Sequence, residues 1–266
     1  MATALPFAAR FAALKACGFE GAEIQRIGEA PAGEIARAAA DSGLPVALVN
    51  VGMGDLAEGG PGLSGVPGRE DLFRRRFAEA AMLAESLGAA TLHLAPSRVP
   101  EGVTRAACRD TYRANVSHAV AAARGASFSV VIEPINRFDI ADVLLDDLAT
   151  GAALARATGA GLLFDAYHVA RMGLDPVAEW NRHRDMIRHV QVSDAPQRGR
   201  PGSGTIDFPA FFAAVAASGY GGWIGAEYAA GTLGEADEEW LAAARRPIRQ
   251  AARSERLANG TVDARA

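Results

Sequence analysis

Lysine is nearly missing from this chain: among 27 basic residues Lys15 alone is a lysine, and the rest are arginine. Schiff-base and pyridoxal chemistry need a lysine amine in a pocket, whereas Lys15 stands mid-helix near the start of the sequence. Lysine-dependent aldolases and transaminases are excluded. Cysteine is scarce too. Cys17 and Cys108 are too few for a stapled secreted fold and too far apart for a paired zinc site, so both read as reduced. No apolar run approaches the ~18 residues of a membrane span. The opening stretch MATALPFAARFAALKACGFE has no basic region followed by an apolar one, so it reads as mature cytoplasmic protein. A basic excess is also lacking: 31 acidic residues outnumber the 27 basic ones, for a net charge of −4. Neither a nucleic acid nor a membrane is the expected partner.

Half of the 266 residues are apolar, enough for one large α/β core. Short apolar runs alternate with longer amphipathic stretches, the pattern of repeated βα units. The runs at 21–24, 45–51, 90–96, 128–134, 160–167, 187–194 and 222–228 are predicted strands. Helical spacing links Phe7, Phe11 and Leu14, then Phe73, Phe77, Ala80, Leu83, Ala84 and Leu87. Further helices are expected near 109–124, 145–157, 208–217 and 235–251. Parallel strands buried on both sides favour a (β/α)₈ barrel over an open doubly wound sheet. No G-x-G-x-x-G follows the first strand, which weakens a dinucleotide-binding reading. One domain is expected over 1–253, with SERLANGTVDARA (254–266) as a polar tail. The Gly-rich segment 52–70 is long enough to suggest a functional lid.

A barrel of this kind needs eight strands and seven are countable, the first element being a helix near Pro6. The expected result is unpaired backbone on the strands near 21–24 and 222–228. We read this as a start assigned too late, with one more strand encoded upstream.

The last four predicted strands each end in a polar residue: Glu133, Asp165, Gln191 and Glu227. Carboxyl ends of barrel strands converge on one mouth, where chemistry sits. Three carboxylates and an amide oxygen meeting there repel one another unless a cation lies between them, and hard oxygen donors suit Mg²⁺ or Mn²⁺. One such residue alone reads as easily as a solvated strand end; four in succession do not. His168, three residues past Asp165, belongs above the same mouth as a substrate contact, and His93 has the same placement on an earlier strand, where a structural role stays open. His118, His183 and His189 read as structural. Arg198 and Arg200 lie in the Gly-rich loop after Gln191, where a guanidinium suits a carboxylate or phosphate. Arg137, after Glu133, is a weaker candidate for the same task.

The motifs VVIEPIN, LLFDAYH, RHVQVSD with PGSGTIDFP, and GYGGWIGAEY closely resemble the hydroxypyruvate isomerase family of the xylose-isomerase-like barrels, as does the segment NVGMGDLAEGGPGLSGVPGRE. The resemblance runs from about Thr3 to Tyr228 and implies a metal-dependent barrel acting on hydroxypyruvate or a close 2-oxo acid sugar. It also implies Glu133, Asp165, Gln191 and Glu227 as metal ligands and Glu133 with Glu227 as the proton-transfer pair. Family members often carry His-Glu where this chain has Gly199 and Arg200, and the extra arginine favours a larger or more anionic substrate. The partner implied is a small-molecule 2-oxo acid or sugar, and a homo-oligomer is compatible with the sequence. A ketose 3-epimerase on the same barrel is the alternative. A non-catalytic barrel and an abasic-site endonuclease are weaker alternatives, because the endonucleases resemble histidine-rich zinc sites.

Overall fold

The computed structural model describes residues 5–229, 233–234 and 237–247. Its elements run α1 (Phe7–Ala16), β1 (Ala22–Ile24), α2 (Ala32–Ser42), β2 (Val46–Asn50), α3 (Glu70–Leu87), β3 (Thr91–Leu94), α4 (Arg105–Ala122) and β4 (Ser129–Ile132). They continue as α5 (Leu148–Thr158), β5 (Gly161–Asp165), α6 (Ala166–Arg171), α7 (Pro176–His183), β6 (Ile187–Val192), α8 (Phe208–Ala217) and β7 (Ile224–Ala226). The seven strands form one parallel sheet in chain order, β1 to β7, as a nearly closed barrel. Each predicted strand is found, with shorter ends. The helix expected near 109–124 begins earlier, at Arg105, because Thr104 caps it by accepting from the Ala107 amide at 3.2 Å. Residues 237–247 are helical, inside the expected 235–251, while the tail 254–266 lies outside the described residues.

Local chemistry explains where the helices stop and start. Gly88 ends α3 at φ 60°, a left-handed turn that a side chain resists. Asp147 opens α5 by accepting from the Ala149 and Thr150 amides, and Asp175 opens α7 ahead of Pro176.

Strand register decides what lies inside. Leu48 pairs with Glu23 and Thr91, Asn50 with His93, His93 with Val131, and Asp165 with Gln191. Paired residues share a face and side chains alternate, so two tiers point inward. The lower tier includes Leu48, Val131 and Leu163, which are buried against one another as a separate apolar plug. Two residues further along the strands come Gln25, Asn50, His93, Glu133, Asp165, Gln191 and Glu227, all polar. The main core lies between the sheet and the helices. There Trp180 packs edge-on against Phe164, Phe211 and Tyr220.

As expected from the strand count, β1 and β7 are the ends of the sheet. A cavity of about 410 Å³ lies along this seam, lined by Glu23, Trp223 and Gly225 from the two strand regions and by Trp240 and Leu241. The helical segment 237–247 brackets the seam. Asp237 accepts from Arg200 and from the Tyr228 hydroxyl on one side, and Arg245 lies 3.2 Å from Glu20 on the other.

The segment after β2 is anchored at its end nearer α3, whereas Gly54 and residues 57–59 are exposed. Asp55 accepts from the Gly62 amide at 2.8 Å, the Ser64 hydroxyl donates to the Ala95 carbonyl at 2.6 Å, and Asn115 donates to the Ser64 carbonyl at 2.8 Å. Leu63, Ser64 and Val66 are consequently buried.

Trp180 is fully buried among three rings. Trp180→Ala is expected to cost about 3–5 kcal/mol, the range for emptying a large aromatic site. Urea unfolding checks this, and a loss under about 1 kcal/mol would show that the helix layer repacks around the hole.

Candidate active site

Backbone geometry delivers four side chains to one mouth. Glu133 follows β4 directly, Asp165 ends β5, Gln191 sits near the end of β6, and Glu227 follows β7. Glu133, Asp165 and Gln191 are at most 4% exposed, while the Glu227 side chain is 31% exposed on the seam side. Asp165 divides its oxygens: Oδ1 accepts from the Tyr167 amide at 2.9 Å and so caps α6. Its Oδ2 has no hydrogen-bond partner among the described residues, nor have Glu133 Oε1 and Gln191 Oε1.

His168 is brought to the same point by α6. Its Nε2 lies 3.5 Å from Glu133 Oε1 and 3.7 Å from Asp165 Oδ2. Glu133, Asp165 and His168 bring ligand atoms within 4.8 Å of one another, a set that can hold a metal ion. The hydrogen bonds around His168 favour a different use of the ring. Asn136 Oδ1 accepts from the Phe138 and Asp139 amides, both at 3.0 Å, so its Nδ2 faces His168 Nδ1 at 2.7 Å as a donor. Nδ1 therefore accepts, and the ring proton sits on Nε2. His168 points an N–H, rather than a lone pair, at the carboxylates.

His93 is wired the opposite way. Asn50 donates from Nδ2 to Gln25 Oε1 at 2.6 Å and to the Gln25 carbonyl at 3.2 Å, which leaves Oδ1 to accept from His93 Nδ1 at 2.9 Å. His93 Nε2 is thus a bare lone pair, 3.4 Å from Glu133 Oε2. Burial, and then the nearby His189, push His93 down to about 3, and burial followed by Arg198 lowers His168 well below the usual range. Both rings are neutral.

The carboxylates show the strain of sharing a dry mouth. Burial, followed by the charges of Glu227 and Asp165, raises Glu133 well above the ordinary range. Burial lifts Asp165 to about 6 and Glu227 to about 7 against the opposing pull of Arg198. Arg198 itself stays charged: burial opposes its charge, but Glu227, Asp165, Glu133 and Asp139 outweigh it.

Arg198 enters the mouth as the sequence suggested. Its guanidinium lies 3.2 Å from Glu227, 3.6 Å from Asp165 and 3.4 Å from Asp139, with its centre 5.1 Å from the Tyr167 ring. Tyr167 is steadied by donating its hydroxyl to Asp139 at 2.9 Å. Arg198 has φ 54°, a costly value for a side-chain-bearing residue. It is held there by a tight turn in which Asp194 and Gly199 exchange backbone hydrogen bonds at 2.8 and 3.0 Å.

Other expectations are corrected. Arg200, taken as an extra anion reader, bonds to Asp237 at 2.7 Å and works on the bracket across the seam. His118 packs edge-on to Phe77, and His183 lies 3.4 Å from Glu179, both structural as expected. His189 is structural too, yet its Nε2 bonds Glu23, beside Gln191. Sequence reasoning missed Glu23, Gln25, Asn50, Asn136 and Asp139. Asn136 had a signal, standing three residues past Glu133 in VVIEPIN, and Asn50 opens the segment NVGMGDLAEGGPGLSGVPGRE; Glu23, Gln25 and Asp139 lie outside the motifs.

A parallel βα barrel with a carboxylate-lined mouth at the carboxyl ends of its strands is the class that this fold and site define. The chain belongs to the xylose isomerase-like TIM barrel family, whose model matches residues 11–251. It is 36% identical to a 2-oxo-tetronate isomerase from Cupriavidus necator, over 84% of this chain and 86% of the relative. It is 32% identical to the hydroxypyruvate isomerase of Escherichia coli, over 88% and 92%. A crystal structure described as an AP endonuclease, family 2, from Brucella melitensis superposes with a TM-score of 0.83 at 28% identity, over 91% of this chain and 95% of that one. No helix among the described residues is long and apolar enough to cross a membrane.

The turn that carries Arg198 hangs on Asp194, whose 1% exposed carboxylate accepts from the Gly202, Gly204 and Ile206 amides at 2.8, 2.8 and 3.0 Å. Asp194→Ala removes the acceptor of three backbone amides, of which only the Ile206 N–H is buried, and is expected to cost about 1–3 kcal/mol in denaturant unfolding. An unchanged midpoint would show that the turn holds without its anchor.

Proposed function

We propose that this chain is a divalent-metal-dependent isomerase that moves a carbonyl between neighbouring carbons of a short 2-oxo acid. The substrate is hydroxypyruvate, giving tartronate semialdehyde, or a close relative such as a 2-oxo-tetronate. The observation that carries this reading is three buried oxygens without hydrogen-bond partners, Glu133 Oε1, Asp165 Oδ2 and Gln191 Oε1, at one mouth. Three carboxylates that share the one guanidinium of Arg198, with Glu133 and Asp165 buried, remain costly, and an all-oxygen donor set fits Mg²⁺ or Mn²⁺. Glu133, Asp165, Gln191 and Glu227 would hold the ion, which when bound supplies Lewis-acid stabilisation of charge on the substrate oxygens.

The residues of the chain do the rest. Glu133 and Glu227 reach the mouth from strands on different sides of Asp165 and Gln191, so that a planar intermediate can lie between them. One glutamate takes the proton from the hydroxyl-bearing carbon, and the C–H electron pair becomes the C=C bond of an enediolate. A glutamate then returns a proton to the former carbonyl carbon, and the hydroxyl proton passes to the former carbonyl oxygen. His168 donates its Nε2–H to the substrate oxygen on which charge grows. Arg198 pairs with the substrate carboxylate, and its stacking on Tyr167 limits the positions it can take. His93 acts on the substrate only by way of Glu133, the group its bare Nε2 faces. The net charge of −4 gives a DNA backbone little to bind, so an endonuclease role finds less support.

Exhaustive chelation is expected to abolish turnover of hydroxypyruvate, and Mg²⁺ or Mn²⁺ to restore it; full activity in metal-free protein would sink the proposal. Glu133→Gln and Glu227→Gln are each expected to fold and to lose ~10²–10⁴-fold in kcat, measured by steady-state kinetics. Arg198→Ala is expected to raise KM for 2-oxo acids far more than for neutral ketoses. Equal effects on both would show that the arginine holds the loop instead of reading the anion.

A further inference from the structure

Glu23, on β1, is a carboxylate that the proposed chemistry does not use, yet three donors converge on it. His189 Nε2 donates to Oε1 at 2.6 Å, and Gln191 Nε2 and Gln25 Nε2 donate to Oε2 at 2.8 and 2.9 Å. Across the seam, Gly225 has no side chain because a Cβ there would collide with the Glu23 carboxylate. The group is therefore fixed in place from β1, β6 and β7.

A carboxylate accepts and an amide has one donating and one accepting end, so Glu23 sets the direction of everything bonded to it. Gln191 must turn its NH₂ toward Glu23, which aims its partnerless Oε1 away as a ligand atom. Gln25 must likewise turn its NH₂ toward Glu23, leaving Oε1 to accept from Asn50. Asn50 then offers its oxygen to His93 Nδ1, and His93 Nε2 is left bare toward Glu133. Both arms start at the same anion and end at the mouth.

We propose that Glu23 is a positioning residue that sets the hydrogen-bond polarity of the mouth, presenting the Gln191 amide oxygen to the metal and the His93 Nε2 lone pair to Glu133. The first arm rests on the metal-dependent reading above; the second does not.

Both arms can be read in the full-length protein. Nitrogen-15 spectra of histidine-labelled wild type are expected to show His93 as the single Nδ1–H tautomer, and an Nε2–H tautomer there overturns the proposal without any substitution. Glu23→Gln keeps the shape and supplies a donor where only an acceptor stood. In it, His93 is expected to become a tautomer mixture, and Mn²⁺ affinity by calorimetry is expected to fall about 10–100-fold, the usual effect of losing a partner behind a metal ligand. Glu23→Asp, which is acceptor-only, is expected to restore the tautomer and part of the affinity. Wild-type Mn²⁺ affinity or an unmoved His93 tautomer in Glu23→Gln overturns the proposal. If wild type takes up no Mn²⁺, the metal-dependent reading fails, and the His93 tautomer alone decides the role of Glu23.

Discussion

The site depends on the two-residue period of its strands, held in register by six parallel pairings. Leu48, Val131 and Leu163 plug the barrel; two residues further on, the same strands present Asn50, Glu133 and Asp165. A slip of one residue in any strand exchanges its inward and outward sets, and would turn a ligand oxygen into the helix layer. The apolar plug is thus what makes the polar tier safe. It underlies the carboxylates of β4 and β5, while the seam beside β1 and β7 stays open along a cavity that Glu23 and Glu227 line.

Dryness has an electrostatic cost, and the neighbouring groups answer it in different ways. Asp165 spends one oxygen on the α6 cap. Arg198 brings a guanidinium to Glu227, Asp165 and Asp139. The two histidines stay neutral and oppositely wired, one offering a proton and the other a lone pair. Orientation is fixed in each case by an asparagine whose own amide is anchored elsewhere. This is a site organised by hydrogen-bond direction as much as by charge.

The strand order, the seam and the four polar strand ends were legible because each strand after the third is an apolar run ending abruptly in one polar residue. Arg198 was legible from its Gly-rich loop. Arg200, two positions away, was not, since its partner Asp237 lies 37 residues on and the local spacing of the two arginines is the same. Glu23 was hidden for a similar reason. It sits in a three-residue strand, and its partners His189 and Gln191 are 166 and 168 residues away. The segment after β2 read as a lid from its length, but Ser97 and Asn115 hold its Ser64 and Gly65 through bonds between distant parts of the chain.

The seam gives the barrel the form of a split ring. A closed ring of strands pairs every strand on both sides; a split one leaves two strands paired on one side only. Here the opening is bracketed by the helical segment 237–247, fastened through Asp237 beside β7 and through Arg245 beside β1. Glu133 stands on the continuous side of the ring, in β4's neighbourhood, whereas Glu227 follows the strand at the cut end. The two glutamates thus differ in what holds them: Glu133 is backed by strands on both sides, whereas Glu227 shares its cavity with Trp240 and Leu241 of the segment that brackets the seam.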